Sequence, residues 1–158
     1  MPKKILQKEE KVLRATAKEV AVSDIKKPKI KKILKEMSEA LRSQSDGVAI
    51  AAPQIGYSLR IFLVSVKIFR GDFVKEREER FSNQTEGENQ KSIEIPAKEQ
   101  SDIEDLVFIN PKISKLSREK EWVPEGCLSV RPFYGKTFRS KKVMLTAYDK
   151  DGKKLTRG

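Results

Sequence analysis

Cys127 is the only thiol in a sequence of 158 residues, and it sits in the run Glu125-Gly126-Cys127-Leu128-Ser129. A thiol beside a glycine, with a carboxylate two residues earlier, has the makings of a metal ligand. It would serve equally as a small buried hydrophobe, since free cysteine is among the most buried residue types. A second chemically marked run is Gly47-Val48-Ala49-Ile50-Ala51-Ala52-Pro53-Gln54-Ile55-Gly56. Its small residues allow close approach by backbone or a ligand, and an exposed edge there would pair with an extended peptide. On local grounds it reads first as a buried strand that ends in a Pro/Gly turn. Gln54 needs hydrogen-bond partners if buried, because an unpaired amide is costly. The sequence contains no histidine, which removes the usual general base and the commonest metal ligand together.

These runs need elements to hold them. Ile5-Leu6, Val12-Leu13-Arg14 and Val20-Ala21-Val22 read as an N-terminal arm lying across a body. Ile30, Ile33, Leu34, Met37, Ala40 and Leu41 recur at helical spacing, which predicts an amphipathic helix over about 28–44 with Pro28 near its start. Arg60 to Val66 reads as a strand, and Leu106 to Ile113 as a strand interrupted by an Asn110-Pro111 turn signal. Trp122 reads as a packing residue rather than a binding platform, and Arg131 to Gly135 as a loop. Val143 to Tyr148 alternates like a strand with two distinct faces, and Asp151-Gly152 marks a hairpin turn into Lys154-Leu155-Thr156. Residues 70–105, polar and charge-rich, read as a long exposed loop insertion.

The length suits one hydrophobic core, so residues 1–158 read as a single domain. Apolar residues are 37% and charged residues 36% of the chain, and no apolar run is long enough to span a bilayer. A charged N-terminus without an apolar core is not a secretory signal, and a lone cysteine suits a reducing cytoplasm. The balance of 34 Lys+Arg against 23 Asp+Glu, net +11, favours polyanions such as RNA or an anionic surface, unless it is only a solvated lysine-rich exterior.

Taken together, the segments resemble the peptide deformylase family, known by the motifs G-φ-G-φ-A-A-x-Q, E-G-C-L-S and H-E-x-x-H. Gly47 to Gln54 matches the first motif with Ala49 at its second glycine, and Glu125 to Ser129 matches the second in full. The resemblance implies an α+β fold of mostly antiparallel sheets around a central helix. That helix carries H-E-x-x-H, and the sequence has no such motif. In the family the two histidines grip one divalent metal together with the cysteine, and the metal activates the water that hydrolyses the formyl group. Iron as Fe2+ comes first for the complete site, with Zn2+, Ni2+ and Co2+ also suited.

By the same resemblance Cys127 is the metal ligand, and the Gln54 amide and Leu128 N–H stabilise the oxyanion. Val48, Ala49 and Gly126 hold the substrate as an added strand, with Val48 and Val123 lining the methionine pocket. Glu125 and Arg139 steady the cysteine loop. The substrates implied are N-formyl-methionyl nascent peptides, met in the cytoplasm with possible ribosome contact through the basic surface and no membrane. The expectation is a deformylase incomplete at its C-terminus, inactive and without bound metal as it stands. A non-catalytic peptide-binding relative, or a basic ribosome- or RNA-associated protein, are the alternatives.

Overall fold

The computed structural model describes residues 1–72, 75, 79 and 105–158. The longest element among the described residues, α2 (Pro28–Arg42), is preceded by a short turn of helix, α1 (Lys11–Arg14). Pro28 occupies the first turn of α2, where its missing N–H costs nothing. Ile30, Ile33, Met37, Ala40 and Leu41 form the buried stripe of the helix. They meet Ile50, Ala52, Ile55, Ile61, Leu63 and Ile109 in one hydrophobic core, which Ile5, Val20 and Ile25 of the N-terminal segment complete. Loss of water contact by these branched side chains is the main term holding helix to sheet.

Among the described residues seven strands follow: β1 (Ala49–Ala51), β2 (Ile61–Val64), β3 (Leu106–Leu116), β4 (Lys120–Gly126), β5 (Tyr134–Ser140), β6 (Val143–Tyr148) and β7 (Lys154–Arg157). Five make an antiparallel sheet in the order β1-β2-β3-β6-β7, and β4 and β5 make a separate two-stranded hairpin. This is the α+β, mostly antiparallel architecture expected. The hairpin between β6 and β7 closes through the Asp149 N–H to Lys153 carbonyl bond at 2.9 Å, with Gly152 at φ 80°, a conformation glycine adopts without strain.

Three expectations are corrected. Asn110-Pro111 does not turn the chain: β3 runs straight through it, and a register shift against β6 absorbs the irregularity. Asn110 sits at φ 51°, and its side chain accepts from the Val20 N–H at 2.8 Å and donates to the Val20 carbonyl at 2.7 Å. It thus acts as a strand partner that clips the N-terminal arm to the sheet. The loop expected over Arg131 to Gly135 ends early, because Tyr134 and Gly135 already belong to β5. Lys136, Arg139 and the exposed Phe138 hide that strand from any apolar alternation. Trp122 is 67% exposed rather than packed inside, with the ring of Phe138 against it.

The arm is tied down as expected, by the Leu6 N–H to the Gln54 carbonyl at 2.8 Å and by a parallel bridge between Lys18 and Leu59. The loop expected over 70–105 lies mostly outside the described residues, although Gly71, Asp72, Lys75 and Glu79 at its start are helical and exposed.

Candidate active site

β1 and the turn after it present the first marked run. β1 is an edge strand of the sheet among the described residues. The Val48 carbonyl accepts from the Ser65 N–H at 2.8 Å, so Val48 faces β2. Antiparallel ladders alternate, which sends the backbone groups of exposed Ala49 to the open edge. A 3-10 turn, Ala52–Ile55, follows with Pro53 in its first turn, and Gly56 at φ 96° stops it. The turn brings Gln54 back over its own strand, where its Oε1 accepts from the Ala51 N–H at 2.8 Å. An N–H can only donate, so this bond fixes which end of the amide is oxygen. Its nitrogen is thereby aimed away from β1, donating to Ser129 Oγ at 3.0 Å and standing 4.0 Å from Cys127 Sγ.

The second run leaves the end of β4. Cys127 is exposed and takes no part in the core of the described residues. A turn closed by the Val130 N–H to the Cys127 carbonyl at 3.0 Å holds the thiol out, while Ser129 is buried and Leu128 packs partly against the core. Among the described residues nothing accepts a hydrogen bond from the Leu128 N–H. Gly126 lies opposite Tyr134, and a Cβ on it would stand 2.5 Å from the tyrosine ring. Only glycine fits there. Val48 and Val123 are each half-buried, on the β1 side and on β4 respectively. Glu125 and Arg139 form a two-pronged ion pair along one face of the hairpin, with Arg139 Nη2 at 2.8 Å from Glu125 Oε2.

Residues that the sequence reading did not single out fasten the two runs together. The Arg131 guanidinium grips both oxygens of Asp46, at 2.6 and 2.7 Å, and also donates to Tyr134 Oη at 2.8 Å. Asp46 directly precedes Gly47, and Arg131 follows Ser129 by two residues, so one planar fork locks both motifs in register. Gln7, from the arm, donates to the Leu128 carbonyl at 3.1 Å and accepts from the Arg131 N–H at 3.3 Å. An opposite charge flanking each motif was the only sequence signal for the Arg131–Asp46 pair, and Gln7 had none. Donating hydrogen bonds to Asp46 raises the Arg131 pKa above its ordinary value, and donating to Glu125 does the same for Arg139. Arginine is charged at any working pH, so both pairs act as clamps and not as proton carriers.

Replacing Arg131 with methionine is expected to free the cysteine turn from the first motif. The loss is about 1–2 kcal/mol, reduced from the value of buried charged hydrogen bonds because the two side chains are 33% and 29% exposed. A urea unfolding midpoint measures it, and Arg131→Lys should recover only part, having charge without the fork.

A family model described as polypeptide deformylase matches residues 2–157. The chain belongs to the polypeptide deformylase family. It is 33% identical over 145 residues to peptide deformylase 1A, chloroplastic/mitochondrial, of Arabidopsis thaliana, covering 91% of this chain but only 47% of that protein. With peptide deformylase 2 of Clostridium acetobutylicum it shares 31% over 149 residues, 94% of this chain and 73% of the other. The peptide deformylase of Thermotoga maritima superposes with a TM-score of 0.70 at 25% identity, over 99% of this chain and 80% of that one. The chain therefore spans about half the length of the Arabidopsis relative and roughly three-quarters of the Clostridium one.

The family is one of metal-dependent hydrolases that act on an N-formyl amide. Among the described residues no group of three histidine, cysteine, aspartate or glutamate side chains converges. Cys127 offers one sulfur, its neighbour Glu125 is held by Arg139, and Gln54 and Ser129 are occupied with each other. These residues do not make a tetrahedral site, which needs three protein ligands even when it leaves a position open. No described helix is long and apolar enough to cross a membrane.

Proposed function

We propose that residues 1–158 form one deformylase-like domain, with 70–105 an insertion in it. The domain supplies the substrate-binding and oxyanion half of a peptide deformylase, acting on N-formyl-methionyl nascent peptides. The single observation that carries this reading is the convergence of the Gln54 amide nitrogen on Cys127 and Ser129, from the turn after a strand whose outer edge is open among the described residues.

In this arrangement the backbone of Ala49 pairs with the substrate as an added strand, with Gly126 opposite and Val48 and Val123 along the methionine side chain. Gln54 Nε2 and the Leu128 N–H then face the formyl oxygen and stabilise the charge that develops on it. Ser129 holds the Gln54 amide in place, and Gln7 holds the Leu128 peptide from behind. Glu125 and Arg139 fix the strand leading into Cys127, the one ligand this chain offers a divalent metal such as Fe2+, Zn2+, Ni2+ or Co2+. The two nitrogen ligands and the general base come from outside residues 1–158, on a longer form of the polypeptide or a second chain. The compartment is a reducing one such as the cytoplasm, and the surplus of 34 Lys+Arg over 23 Asp+Glu suits contact with the ribosome.

Formate release from an N-formyl-methionyl tripeptide, measured beside metal content, tests this. The chain of 158 residues alone should hold no stoichiometric metal and release nothing. The same domain joined to a helix bearing H-E-x-x-H should gain both properties. Turnover with tight metal binding by the chain alone would overturn the reading, as would failure of the joined protein to bind metal through Cys127.

A further inference from the structure

The β4–β5 hairpin has two chemically different faces. Its register is unbroken and sets Trp122 opposite Phe138, Lys120 opposite Ser140 and Pro124 opposite Lys136. Successive side chains on a strand point to opposite sides. One face therefore carries Lys120, Trp122, Pro124, Lys136 and Phe138, and both acids of the strands, Glu121 and Glu125, lie on the other with Arg139. The aromatic face has positive charge only.

Trp122 and Phe138 touch, with ring centroids 5.3 Å apart and planes inclined by 37°. Even so they remain 67% and 55% exposed. Lys120 Nζ stands 5.9 Å from the Phe138 ring centre. Among the described residues neither Lys120 nor Lys136 has a carboxylate within ion-pair distance. The two lysines are four positions apart along the hairpin, about 13 Å, with the aromatic pair between them. A ligand that suits this surface has flat apolar faces to lay on the rings and regularly spaced negative charge for the lysines.

We propose that this face binds single-stranded RNA. Bases stack on Trp122 and Phe138, and backbone phosphates pair with Lys120 and Lys136, the combination that single-strand binding surfaces use. The net charge of +11 adds long-range attraction to the same partner. A lipid surface fits less well, since the rings lie mid-strand between charges rather than at a protruding apolar tip. The contact uses none of the side chains assigned to metal or substrate, although Gly126 and Tyr134 lie further along the same face of the hairpin.

Trp122 is the only tryptophan of the chain, so its fluorescence reports on this face alone. Titration of the full chain with a single-stranded uridine dodecamer should quench that fluorescence, with an affinity that falls steeply as salt is raised. Phe138→Ala should weaken binding about tenfold through lost stacking, and a Lys120→Glu, Lys136→Glu double variant should do so through charge without removing an apolar contact. Circular dichroism confirms that each variant is folded. Inorganic polyphosphate should bind more weakly and leave the fluorescence unchanged. Absence of quenching, or undiminished affinity in the folded lysine variant, overturns the proposal. Quenching by anionic vesicles or by an unformylated methionyl peptide, but not by the dodecamer, also overturns it and assigns the face to a membrane or a peptide.

Discussion

Exchanging Gln54 for alanine in the histidine-completed protein is expected to cut deformylation about 10²–10³-fold in kcat, the usual cost of one oxyanion donor. KM should change little, because the donor meets charge that exists only in the transition state. The alanine variant alone would be ambiguous. It also removes the acceptor of the Ala51 N–H and the partner of Ser129 Oγ, so the turn itself is loosened. Gln54→Glu separates the two effects. Glutamate keeps an oxygen for Ala51 but has no N–H to donate, so it should keep the unfolding midpoint near that of the parent and still lose turnover. Steady-state formate release and thermal unfolding of both variants check this. Parental kcat in the Gln54→Glu variant would remove Gln54 from the oxyanion role.

Gly126→Ala should be the most disruptive small substitution in the site. The added methyl would stand 2.5 Å from two carbons of the Tyr134 ring. That ring cannot swing away freely, because its hydroxyl is held by Arg131 at 2.8 Å and lies 3.4 Å from Asp46. Relief requires the hairpin to open at its base or the Arg131–Asp46 clamp to give way, and either one moves Cys127. Forcing a methyl into such a contact costs about 1–3 kcal/mol. A urea midpoint measures the loss, and the Gly126→Ala, Tyr134→Ala pair should regain most of what Gly126→Ala loses beyond Tyr134→Ala itself. Additive effects in that cycle would show that the ring is not what the glycine makes room for.

Much of the fold was legible because burial leaves a periodic trace. The stripe from Ile30 to Leu41 announced α2, and Pro28 marked the neighbourhood of its start. Alternation announced β6, and Asp151-Gly152 announced the turn after it. The elements that escaped are those whose side chains do not report burial. β5 reads as polar because most of it is exposed on a two-stranded hairpin. Asn110-Pro111 looked like a turn because local sequence cannot show that Val20, 90 positions away, satisfies the asparagine side chain.

The sequence by itself determined the family and the two chemically marked runs, since both depend on residue type and order. It determined also that no histidine is present to complete a metal site. Only the tertiary structure showed that Cys127 lies exposed and outside the core, because exposure belongs to the fold and not to the residue. It likewise decided which end of the Gln54 amide faces the sulfur, through a backbone N–H that admits oxygen alone. The clamp between Asp46 and Arg131 spans 85 positions, and Gln7 reaches Leu128 across 121. Contacts over such separations exist only after the chain has closed on itself, so no local pattern encodes them.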